Sequence, residues 1–101
     1  MNGLITTILV DGARVHLLLT RYPSGNAGIR AVDADTGEDF AMLSLNTNEA
    51  LEDGVFYMKD YSENEELAKS AIDSGAFVAV SKFKQVGFRT VQAWRIDNGS
   101  N

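Results

Sequence analysis

A chain of 101 residues, 45% apolar and 23% charged, can fill one hydrophobic core but not two, and is too apolar to be disordered across its body. It has no cysteine, which excludes disulfide staples, thiolate metal sites and a cysteine nucleophile. Its net charge of -5 is uneven: residues 33–73 hold twelve acids against two bases, a balance of -10, and the remainder carries +5.

Residues 4–10 and 13–22 are rich in β-branched and large apolar side chains. They flank Asp11-Gly12, the signature of a type I′ hairpin, whose two central residues both need positive φ. In the second strand Val15, Leu17 and Leu19 share one face, and Arg14, His16, Leu18 and Thr20 share the other. Pro23-Ser24-Gly25-Asn26 is a turn cluster. A third strand is predicted over 28–34, with Ile29 and Ala31 alternating against Arg30 and Val32. Asp35-Thr36-Gly37-Glu38 then reads as a hairpin loop with Gly37 in the left-handed region. Residues 40–45 return as a strand, 46–54 form an acidic loop, and 55–59 form a short strand with Phe56 and Met58 on one face.

Ser62, followed three residues later by Glu65, has the spacing of a capping box. Glu63, Glu65 and Glu66 fall in the first helical turn, where negative charge suits the helix dipole. Leu67, Ala68, Ala71 and Ile72 form an apolar stripe at helical spacing, and Gly75 is a C-terminal stop, so the helix is predicted over 63–74. Residues 77–83 and 88–96 form a last hairpin around Lys84-Gln85-Val86-Gly87. The order is β-β-β-β-β-α-β-β. The expected architecture is one α+β domain over residues 1–96, a twisted antiparallel sheet of about six to seven strands with one helix on one face. Residues 97–101 are expected to be a flexible tail. The start of the chain shows no basic leader, and no apolar run is long enough to cross a bilayer, so a soluble protein of the bacterial cytoplasm is expected.

The motifs of known chemistries fail on spacing. Asp35-Thr36-Gly37 matches the tripeptide of retroviral-type aspartic proteases, but flanking Asp33, Glu38 and Asp39 suit a solvated turn, not a dry paired-carboxylate site. As a calcium loop the same stretch has Gly37 where the third ligand belongs. His16 is the only histidine, and no Gly-x-Ser-x-Gly, Gly-x-Gly-x-x-Gly or phosphate-binding loop occurs. The chain is therefore read as a non-enzyme with no cofactor and no metal. Lys82, Lys84 and Arg89, with Phe83 and Phe88, resemble a nucleic-acid strand pair, but the acidic whole favours an ordinary solvated hairpin. The stronger candidate is an acidic belt of Glu49, Glu52, Asp53, Asp60, Glu63, Glu65 and Glu66, with Tyr57 and Tyr61 as anchors, which would dock on a basic groove of a protein partner. The plain structural reading of those acids is a well-solvated, well-capped face.

Lys59-Asp60-Tyr61-Ser62-Glu63-Asn64-Glu65, with the Thr36-Gly37-Glu38 turn and Leu43-Ser44-Leu45-Asn46, resembles an uncharacterised family of short proteins encoded on bacterial plasmids, phages and other mobile elements. The resemblance runs over about residues 22–96, and it carries over no site residue. It implies a small accessory protein of a mobile element. By analogy with proteins of that size and acidity, it implies an inhibitor of host defence of the anti-CRISPR kind, bound stoichiometrically to a Cas effector or another nucleic-acid-handling complex, without direct nucleic-acid or membrane contact. The alternative expectation is a structural or regulatory accessory protein, as a monomer or as a homodimer joined through a sheet edge.

Overall fold

A computed structural model describes residues 3–61 and 64–97. The protein is α+β; the described residues form seven antiparallel strands and one helix in the expected order. β1 (Gly3–Val10), β2 (Ala13–Arg21), β3 (Ala27–Asp33) and β4 (Asp39–Met42) form one sheet in chain order. β5 (Val55–Tyr57), β6 (Phe77–Val86) and β7 (Arg89–Ile96) form a second, ordered β5-β7-β6, and α1 spans Glu65–Asp73. The strands are thus divided between two sheets. One sheet with one nine-residue helix would leave most of a face bare, whereas two facing sheets bury their inner faces against each other.

The turns follow local chemistry. Asp11 and Gly12 have φ of 51° and 83°, and the tight hairpin aligns Val10 with Ala13. At the β3–β4 loop Asp33 Oδ1 accepts from the Asp35 and Thr36 amides at 2.7 and 3.0 Å, an Asx turn, with Gly37 at φ 80°. The strand expected over 40–45 is split. Leu43 N still donates to Ile29 O at 2.8 Å, and then Ser44 bridges to Met58 and Leu45 N donates to Tyr57 O at 3.0 Å. This crossing segment joins the two sheets.

The main core draws Ile8, Val15, Leu17, Ile29 and Ala31 from the first sheet, Phe56, Phe77 and Trp94 from the second, Leu43 and Met58 from the crossing, and Leu67, Ala68 and Ala71 from α1. Burying each large aliphatic side chain here stabilises by about 1.5–3 kcal/mol. The helix is shorter than expected. It starts at Glu65 after N-cap Asn64, whose side chain makes no cap bond and instead donates to Met42 O at 3.2 Å, tying the helix to β4. The expected capping box depends on Ser62, which with Glu63 lies outside the described residues. At the other end Gly75, at φ 83°, follows C-cap Ser74 and stops the helix as expected.

The last hairpin also differs from expectation. Its turn is Gly87-Phe88, and Lys84, Gln85 and Val86 belong to β6. β6 takes four residue steps from Ala79 to Phe83 where β7 takes two from Trp94 to Gln92. The Gln92 amide donates to Val80 O at 3.0 Å and satisfies a carbonyl that this wide bulge displaces.

Candidate functional site

The residues expected to form the acidic belt come from the 46–54 loop, from β5 and the segment after it, and from the first turn of α1. The structure separates them into two groups.

The first group closes a second small core. Alternation along β5 sends Phe56 to the main core and Val55 and Tyr57 to the opposite face, where they meet Val91 and Ala93. Leu45, Leu51, Tyr61, Val80 and Val86 pack around them. The 46–54 loop lies over this face and is held by Asn26, which is 8% exposed. The Asn26 amide donates to Glu49 O at 2.8 Å, and its Oδ1 accepts from Leu51 N at 3.2 Å. The Glu49 carboxylate pairs with Lys82 at 3.0 Å, approaches Lys84 at 4.0 Å and accepts from the Tyr57 hydroxyl at 2.9 Å. The Lys82 hydrogen bond, then that of Tyr57, holds the Glu49 carboxyl below its ordinary range. Burial, then the bond to Glu49, pushes the Tyr57 hydroxyl up. Glu49 likewise raises Lys82.

These contacts correct part of the expected surface. Tyr57 is 2% exposed and cannot serve as a surface anchor, because its ring fills the second core. Glu49 is neutralised by two lysines, and Asp53 pairs with Arg21 at 2.9 Å. The same pairs occupy Lys82 and Lys84, leaving the β6–β7 hairpin less free charge for phosphates than its sequence suggests. Phe83 and Phe88 are exposed there.

The second group remains open. Glu52, Asp60, Glu65 and Glu66 are exposed and, among the described residues, make no ion pair. Asp60, Tyr61, Glu65, Arg89 and Thr90 line a cleft of about 350 Å³ between the start of α1 and the β6–β7 turn. The Arg89 guanidinium lies over the Tyr61 ring, 4.6 Å from its centroid. Glu63 lies outside the described residues.

The other sequence candidates have structural partners. Asp35 pairs with Arg14 at 3.4 Å, and backbone bonds from Thr36 and then Asp35 lower the pKa of Asp33. His16 Nδ1 lies 2.7 Å from Thr7 Oγ1 on the adjacent strand. Among the described residues no three His, Cys, Asp or Glu side chains cluster to hold a metal ion, and no helix is long and apolar enough to cross a membrane. Sequence reasoning missed Asn26 and the Glu49 node. Asn26 reads as a turn residue, and nothing local reveals that it reaches residues 49 and 51. No protein-family model, no curated protein and no solved structure matches the chain.

Proposed function

We propose that the protein is a small binding protein that docks through Asp60, Glu65 and Glu66, beside Tyr61, onto a basic surface of a protein partner. The observation that carries this reading is that these carboxylates are exposed and unpaired among the described residues, while Glu49 and Asp53 pair with lysine and arginine side chains of the chain itself. Arg89 of the chain itself covers the Tyr61 ring, so the carboxylates at the rim of the cleft, not the aromatic face, are the groups left to meet a partner's guanidinium or ammonium groups. Exposed charge of one sign speeds encounter with an oppositely charged surface and makes binding salt-sensitive.

The nature of the partner rests on the family resemblance. In this reading the protein comes from a phage or another mobile element, and its target is a nucleic-acid-handling defence complex of the host, inhibited stoichiometrically in the anti-CRISPR manner by occupying a surface meant for nucleic acid. The test is phage plating on a bacterium with active CRISPR defence, with and without the protein. The wild type is expected to restore plating. The triple variant Asp60→Lys, Glu65→Lys, Glu66→Lys is expected to lose that effect while keeping its circular dichroism spectrum. A triple variant as active as the wild type removes the acidic cleft from the mechanism.

A further inference from the structure

The two-residue turn between β6 and β7 places an aromatic side chain where the fold asks for none. Gly87 has φ of 62° and Phe88 keeps a negative φ, the pattern of a hairpin turn with glycine at its first central position. The second central position is served by a short polar residue such as Asn or Ser. Phe88 stands there instead, bare at the tip: it is 106% exposed, against 60% for Phe83 and Leu4 and 65% for Leu9.

The backbone that carries Phe88 is braced. Strand pairing runs to the foot of the turn, where Val86 faces Arg89. The Gln85 side chain spans the turn, its Nε2 donating to Gly87 O at 3.1 Å and its Oε1 accepting from the Thr90 hydroxyl at 3.0 Å. Arg89 is held over the Tyr61 ring. A ring on such a turn is preorganised for binding, because little backbone freedom is left to lose on association. Arg89 and Thr90, the next two residues, line the cleft that also holds Asp60 and Glu65. A partner seated on those carboxylates therefore reaches Phe88, one residue step from the cleft lining.

We propose that Phe88 is the apolar anchor of the docking surface, and that the protein partner carries an apolar recess flanked by lysine or arginine side chains. The proposal rests on the acidic cleft being the docking site. Carboxylates draw in a cationic surface and set the salt dependence, but exposed ion pairs alone hold it weakly. Burying a bare ring in a recess supplies the slow dissociation, as aromatic side chains at the centre of interfaces do. The same carboxylates choose between classes of partner, since they repel the phosphates of nucleic acid and of anionic lipid.

The experiment puts the photo-crosslinking residue p-benzoylphenylalanine in place of Phe88 in the full chain, and in place of Leu9 on β1 as a control, in the CRISPR-active bacterium of the plating test. A host protein is expected to crosslink from the Phe88 position and not from the Leu9 position, at an apolar site with lysine or arginine beside it. With that protein purified, Phe88→Ser is expected to speed dissociation at least about tenfold, with an unchanged melting curve and an unchanged salt dependence. The triple lysine variant of the cleft is expected to slow association and flatten the salt dependence. The absence of a crosslink from the Phe88 position overturns the anchor, and this readout holds even where Phe88→Ser does not fold. A folded Phe88→Ser chain that dissociates like wild type also overturns it, and the cleft stands alone if the triple variant still loses binding. A Phe88→Ser effect beside a triple variant that binds like wild type sinks the cleft reading, and with it the basic character of the partner. Retention of the wild type on phosphatidylglycerol vesicles or on a single-stranded oligonucleotide, lost in Phe88→Ser, overturns the proposal in favour of a lipid or nucleic-acid target.

Discussion

Phe56 and Tyr57 are neighbours on β5, and they are 1% and 2% exposed, yet they are buried by different means. Phe56 faces the main core and meets Phe77 and Trp94 edge-on, with ring centroids 5.7 and 6.3 Å away. Tyr57 faces the opposite way, packs on Val55, Val91 and Ala93, and lies beneath a loop held by Asn26 and by the Glu49 pairs with Lys82 and Lys84. The first cover is apolar and barely senses pH or salt. The second is a polar latch that weakens whenever one of its charges is lost. A three-residue strand thereby serves two cores, and acids that read as a docking surface close the second of them.

The largest effect should come from the apolar side. Phe56→Ala removes both edge contacts and opens a cavity among fully buried neighbours, so chemical denaturation should show a loss of about 3–5 kcal/mol. Asn26→Ala should lose less, about 1–3 kcal/mol, because it leaves the Leu51 amide and the Glu49 carbonyl without their partner. Amide exchange should quicken in residues 46–54 and leave the main core unchanged. Equal losses for the two variants would break the comparison.

Glu49→Gln sharpens it through pH. The Glu49 pKa is lowered in the folded state, so its contribution is present above the ordinary value of 4.5 and disappears as pH falls through the folded value. The stability advantage of wild type over Glu49→Gln should hold at neutral pH and shrink progressively as pH falls below 4.5 in urea melts. Tyr57 and Lys82 have raised values, so their contributions are present below the ordinary 10.0 and 10.5 and disappear as pH rises through the folded values. The latch therefore fails at both ends of the pH range, while the Phe56 face has no titrating group to lose. The smallest effect is expected at Lys69→Ala. It removes an exposed pair with Asp73, one helical turn along at 3.3 Å, and should stay within about 0.5 kcal/mol of wild type.

Much of the fold was legible because it is set by near neighbours. Asp11-Gly12 dictates its hairpin through two positive φ angles, Gly37 and Gly75 mark a turn and a helix end, and the stripe from Leu67 to Ala71 announces the buried side of α1. The candidate site was legible only in part. Asp60, Glu65 and Glu66 stand exposed, which their charge alone implies. Glu49, Asp53 and Tyr57 were misread because their partners Lys82, Arg21 and Val91 are far along the chain. The helix begins at Glu65, after N-cap Asn64, whose side chain bonds Met42, a contact that no capping pattern contains.

The sequence by itself determined the antiparallel strands, most of their turns, the single helix and the absence of cysteine chemistry, since each follows from residues within a few positions of one another. Only the tertiary structure decided that the strands divide into two sheets, which carboxylates meet a cation, and which tyrosine is buried. Alternation along a strand states that a side chain has a face, but what comes to cover that face is chosen by the return path of distant segments, where burial and charge pairing offset the entropy of ordering them.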